Sequence, residues 1–70
     1  MLKNRAKELR ARHGFSQVEL AKRVGVTRQT IGFIEKGGFS PSVALALRLA
    51  AHLETTVDDI FWLEEEEFDE

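Results

Sequence analysis

The sequence predicts an all-α fold, a compact domain of five short helices in which two cross through a sharp three-residue turn. Three observations predict it. The segment Gln17 to Lys36, QVELAKRVGVTRQTIGFIEK, puts apolar, small and turn residues where such a helix pair needs them. Capping residues recur at intervals that suit short helices. No stretch alternates cleanly between apolar and polar residues, as a half-buried strand would.

The first helix is expected from Leu2 or Lys3 to Arg12, because Leu2, Ala6 and Leu9 keep a helical spacing and Gly14, just after His13, is a natural stop. Ser16 opens the second helix, with Glu19 three residues on completing a capping box, and Val24 closes it. Gly25 then stands where the backbone must take φ > 0, which glycine reaches without strain. Thr27 caps a third helix, Arg28 to Lys36, which stops at Gly37. Leu20, Val24, Val26, Ile31 and Ile34 supply the inner side of the pair, and Ala21 is small enough to let the helices cross closely.

The loop Gly37-Gly38-Phe39-Ser40 leads to a fourth helix, Pro41 to about Leu53, with Ser40 as its cap and Pro41 at its first position. Val43, Ala46, Leu47, Ala50 and Leu53 form one apolar stripe, widened by Leu45 and Leu49. Thr56 with Asp59 makes a weaker capping box that starts a short fifth helix, Val57 to Phe61. Residues 1–63 are read as one domain and residues 64–70 as an acidic, flexible tail, since Glu64 to Glu67 is a run of like charge.

Composition narrows the function. A 70-residue chain makes one domain with a small core, and with no cysteine it has no disulfide to reinforce it. Dimerisation is a reasonable source of extra stability. The longest uninterrupted apolar run, Val43 to Leu47, is too short for a membrane span or a signal-peptide core, so a cytoplasmic protein is expected. The net charge of −2 argues against nucleic acid only until its distribution is seen. Residues 1–36 hold nine Lys/Arg against three Asp/Glu, a balance of +6, whereas residues 37–70 hold one against nine, a balance of −8. Phosphate attraction is local, because the Debye length is about 8 Å at physiological salt. A basic half can therefore bind DNA while an acidic end solubilises or points elsewhere.

The pair of helices with polar and basic residues left over on its outer side is the layout of a DNA-binding helix-turn-helix. The segment resembles the phage-repressor/Cro (XRE-type) helix-turn-helix family, and the likeness extends to both sides. Upstream, NRAKELRARHGFSQ resembles the first helix and the turn after it; downstream, IEKGGFSPSVALALRLAAHLETTVDDIF resembles the loop and the last two helices. Together the match covers roughly residues 3 to 61 and implies a repressor-like domain with a central helix-turn-helix. The resemblance also implies a transcriptional regulator, most simply a repressor that occludes a promoter at its operator.

Helical spacing selects the DNA-facing side of the third helix. With Ile31 and Ile34 turned inward, Gln29, Gly32, Phe33 and Lys36 face out, with Arg28 and Thr30 on the flanks. Arg28 and Gln29 are the main base readers expected. Arginine matches guanine O6 and N7, and glutamine matches adenine N6 and N7, each good pair being worth about 1–3 kcal/mol of discrimination. The ring of Phe33 can meet a thymine methyl or fold back on Phe39 or the loop. Gly32 costs the helix roughly 1 kcal/mol against alanine. Gln17, Lys36 and the loop amides of Gly37 and Gly38 are expected on phosphate, and the resemblance places Thr27 and Thr30 on phosphate or the groove edge. It also implies a largely buried salt bridge between Arg10 and Glu35, from which removing one partner typically costs about 3–5 kcal/mol.

Two-fold binding to an inverted repeat sets two such helices about 34–36 Å apart. Ile60, Phe61, Trp62 and Leu63, with Leu49 or Leu53, are the dimer surface expected, against the alternative that Trp62 and Leu63 cover the domain's own core. His13 and His52 belong to no metal-ligand or nucleophile–base pattern, and the carboxylates lack a frame that would hold them at catalytic spacing. No enzyme, metal or cofactor is expected. A second class of function is an antitoxin or adaptor on the same fold, in which the acidic tail with Trp62, Leu63 and Phe68 docks a basic protein partner.

Overall fold

The computed structural model describes residues 1–64; the acidic tail beyond Glu64, with Phe68, lies outside the described residues. Five helices and a two-stranded ribbon follow one another as β1 (Leu2–Asn4), α1 (Ala6–Arg12), α2 (Gln17–Val24), α3 (Arg28–Lys36), α4 (Val43–His52), α5 (Val57–Ile60) and β2 (Phe61–Leu63). One core joins them. Leu20, Ile31, Ile34, Leu49, Leu53 and Ile60 are fully buried within it, each burial removing about 1.5–3 kcal/mol worth of apolar surface from water.

The helix-turn-helix closes as its residues dictate. Ser16 Oγ accepts from the Glu19 N–H at 3.0 Å at the start of α2, and Gly25 ends that helix at φ +78°. Val26 N–H then reaches back to Ala21 O at 3.0 Å, and Thr27 Oγ1 accepts from the Thr30 N–H at 3.2 Å to begin α3.

Three boundaries differ from the expected ones, each for a reason outside the local sequence. The first helix starts at Ala6, because Leu2–Asn4 pair antiparallel with Phe61–Leu63 in the register Leu2↔Leu63, Lys3↔Trp62, Asn4↔Phe61. Arg5 N–H continues the ribbon to Ile60 O at 2.9 Å, and Asn4 Oδ1 accepts from the Ala6 N–H at 2.9 Å, which starts the helix there. The same ribbon shortens the last helix, since Phe61 is extended (φ −123°, ψ 143°). In α4 the cap is Ser42, whose hydroxyl accepts from the Leu45 N–H at 3.1 Å, so Ser40 and Pro41 belong to the loop. The buried row is then Leu45, Ala46, Leu49, Ala50 and Leu53, while Val43 (77 % exposed) and Leu47 (57 %) stay open. The larger leucines at i, i+4 and i+8 win the core-facing side over the valine stripe.

No helix among the described residues is long and apolar enough to cross a membrane.

Candidate nucleic-acid interface

Arg28, Gln29, Phe33 and Lys36 are exposed on α3, on the side away from the buried Ile31 and Ile34. With Gln17 and Gly32 they line one shallow depression. Phe33 forms part of it with 49 % of its surface open. The arginines separate sharply by what they touch. Arg10, Arg12 and Arg23 hold the carboxylates of Glu35, Glu8 and Glu19. Arg5 lies over the Trp62 ring at 4.9 Å, and Arg48 Nε donates to Val24 O at 3.0 Å. Among the described residues, the side chains of Arg28, Gln29 and Lys36 make no hydrogen bond to their own chain. Three donors are thus left for an outside acceptor.

Behind α3 stands a polar brace. Arg10 Nε donates to Glu35 Oε2 at 2.6 Å and its Nη2 to Oε1 at 3.3 Å, with the two side chains 14 % and 4 % exposed. A third Arg10 donor, Nη1, reaches Phe15 O at 2.9 Å. Gln17 Nε2 joins through Glu35 Oε1 at 3.0 Å, so α1, α2 and α3 meet on one carboxylate. A buried ion pair with its remaining valences filled locks geometry more than it adds stability. The carboxylate also fixes which end of the Gln17 amide faces inward. One N–H of that amide is committed to Glu35, leaving the other N–H and the carbonyl for an external partner.

The remaining expected contacts divide. Thr27 and Thr30 stand at the N-terminus of α3 with their hydroxyls 3.2 Å apart. The pair needs one hydroxyl proton between them, so the second is available outward. The amides of Gly37 and Gly38 do not serve as free phosphate donors. Gly37 N–H is bonded to Ile34 O at 2.9 Å and Gly38 N–H to Phe33 O at 3.2 Å, closing α3 with Gly37 at φ +87°.

The patch expected to pair two copies is also redistributed. Ile60 (0 % exposed) and Phe61 (8 %) are spent in the domain's own core, as are Leu49 and Leu53. Trp62 and Leu63 remain open but, being adjacent in a strand, point to opposite faces of the ribbon. Trp62 shares its face with Lys3 and lies under Arg5. Leu63 shares its face with Leu2 and Phe61, the latter two lining an apolar hollow with Pro41, Val43, Leu47 and Val57.

Two residues escaped the sequence reading. Arg48, the lone basic residue after Lys36, ties α4 to the last carbonyl of α2 at the turn. Asn4 Nδ2 donates to Ile34 O at 2.9 Å and ties the ribbon to the last turn of α3. A single arginine inside the apolar run of a helix is a signal of the first kind; nothing local marked the second.

A helix pair with a tight glycine turn, a braced inner side and an uncommitted polar outer side defines a helix-turn-helix scaffold. Comparison gives the family. The helix-turn-helix family model HTH_3 matches residues 7–60, and the chain belongs to this XRE-type family. The chain is 54 % identical over 65 residues to an uncharacterized HTH-type transcriptional regulator, YgzD, of Bacillus subtilis, covering 93 % of this chain and 98 % of the relative. It is 48 % identical over 66 residues to an uncharacterized HTH-type transcriptional regulator of Archaeoglobus fulgidus, covering 94 % and 93 %. Among solved structures it is similar to the restriction-modification controller protein C.AhdI of Aeromonas hydrophila (TM-score 0.72, 33 % identity, covering 77 % of this chain and 82 % of that one). It is also similar to SinR, a master regulator for biofilm formation solved in complex with DNA (TM-score 0.69, 30 % identity, covering 74 % and 84 %). The family is one of transcriptional regulators, not of enzymes.

Proposed function

We propose that this protein is a cytoplasmic, sequence-specific DNA-binding repressor that sets α3 into the major groove of an inverted-repeat operator as a homodimer. The observation that carries this reading is the uncommitted outer side of α3, held from behind by the Arg10–Glu35–Gln17 brace. Arg28 and Gln29 read bases, Phe33 offers its ring to a thymine methyl, and Gln17, Thr27, Thr30 and Lys36 position the duplex through phosphates or the groove edge. The likeness to SinR, which was solved with DNA, supports the docking mode.

A nine-residue helix spans only part of a recognition sequence, so a second copy is needed to read the other half-site. The apolar hollow between α4 and the ribbon, edged by Leu2, Val43 and Leu47, is the face through which the copies meet, and Leu63 extends it. Bound across a promoter, such a dimer represses by occlusion.

Selection of bound sequences from a random duplex pool tests this reading. A palindromic consensus with half-sites one helical turn apart is expected. Gln29→Ala should then relax preference at one position, whereas Lys36→Ala should weaken all duplexes alike and flatten the salt dependence. A pool that stays random after repeated selection would refute sequence-specific binding.

A further inference from the structure

We propose that Lys3 is a phosphate-binding residue at the edge of the DNA-facing surface, and that Glu64 competes with the duplex for it. The inference rests on the DNA-binding reading and concerns the regulation of that same surface. Lys3 belongs to β1, which the Asn4 Nδ2–Ile34 O bond of 2.9 Å fastens to the last turn of α3. That bond brings Lys3, Lys36 and Gly37 around one depression at the end of the helix that faces DNA. Glu35 lines it too, but its carboxylate is taken up by Arg10 and Gln17. The Gly37 and Gly38 amides being spent on the helix end, cationic side chains are the donors left there for a phosphate.

Glu64 stands where a phosphate would compete with it. Its carboxylate is 3.9 Å from Lys3 Nζ, with both side chains open to water (44 % exposed for Lys3, 67 % for Glu64). Its backbone is held in place, the N–H donating to Met1 O at 2.9 Å and the C=O accepting from Met1 N at 3.0 Å. An exposed pair of this kind is weak enough for a phosphate to displace. Three further glutamates follow Glu64 directly in the sequence. Glu64 thereby acts on the binding surface as a built-in counter-anion.

The experiment is equilibrium binding to a selected duplex over a salt series, with wild type, Lys3→Gln, Glu64→Gln and the double variant. Lys3→Gln is expected to weaken all duplexes alike and to reduce the slope of log affinity against log salt by about 0.9. Glu64→Gln is expected to raise affinity about two- to threefold at low salt, and that gain should vanish in the Lys3→Gln background. An unchanged slope in Lys3→Gln overturns the proposal. So does a gain from Glu64→Gln that persists without Lys3, which would be a general field of charge. Wild type that binds no duplex at low salt overturns the DNA-binding reading together with this one; the other two results overturn this one alone.

Discussion

Arg28 has its helical position to thank for its freedom. The other five arginines are anchored to carboxylates, an aromatic ring or a helix-end carbonyl, while Arg28 follows the cap residue Thr27 as the exposed first residue of α3. At the opposite extreme is Glu54, which follows α4 at φ +57° and is the non-glycine residue with positive φ among those described. It closes that helix by the same hydrogen-bond pattern as a glycine would, with Glu54 N–H to Ala51 O at 3.3 Å and Thr55 N–H to Ala50 O at 2.9 Å. A side chain in the left-handed region costs roughly 1–2 kcal/mol. Glu54→Gly is therefore expected to stabilise the fold by about 0.5–1 kcal/mol after the glycine's greater unfolded-state entropy is subtracted. Urea unfolding checks this through a higher midpoint at constant slope; a lower midpoint would contradict it.

Elements differ in how far their limits could be read locally. α2 and α3 lie at the expected residues because Ser16, Gly25, Thr27 and Gly37 each supply a cap whose partner is three to five residues away. The ribbon could not be read. Its strands are three residues each, too short for alternation to register, and the pairing joins Leu2 to Leu63 across the whole domain. That one non-local pairing accounts for the shifted start of α1 and for the early end of the last helix. α4 had two serines able to cap and two apolar stripes able to face inward, and only packing against α2 and α5 chooses between them. On α3 itself, Gly32 is a residue whose effect can be measured cleanly. A Cβ there would meet only Gln17 Nε2, at 4.0 Å, an ordinary contact. Gly32→Ala should stabilise the free protein by roughly 0.5–1 kcal/mol through helix propensity. Thermal unfolding of the variant without DNA reads that gain, and a loss of stability would show that the space is tighter than the geometry implies.

For the whole molecule, the division of charge becomes a division of labour. Nine of the ten Lys/Arg residues lie in the first half with the helix-turn-helix, and the acidic end begins beside the ribbon at Glu64. The ribbon also separates Trp62 from Leu63, a distinction that turns the proposed dimer into a sharp test. Leu47→Ser with Leu63→Ser should shift sedimentation toward the monomer, whereas Trp62→Ala, on the other face, should leave the dimer intact. The opposite pattern would move the interface to the Trp62 face. The exposed residues of α3 were legible in the sequence because helical spacing alone sorts the buried Ile31 and Ile34 from Gln29 and Phe33. The surface proposed for pairing two copies was not, because four consecutive residues, Ile60 and Phe61 in the core and Trp62 and Leu63 on opposite faces, look alike in hydrophobicity. The most direct measurement of the central claim is an amide chemical-shift titration of the protein with a short duplex. Binding through α3 predicts the largest shifts at Gln17, at Arg28 to Phe33 and at Lys36. Shifts that leave those residues unmoved and gather instead on Val43, Leu47 and Leu63 would contradict it.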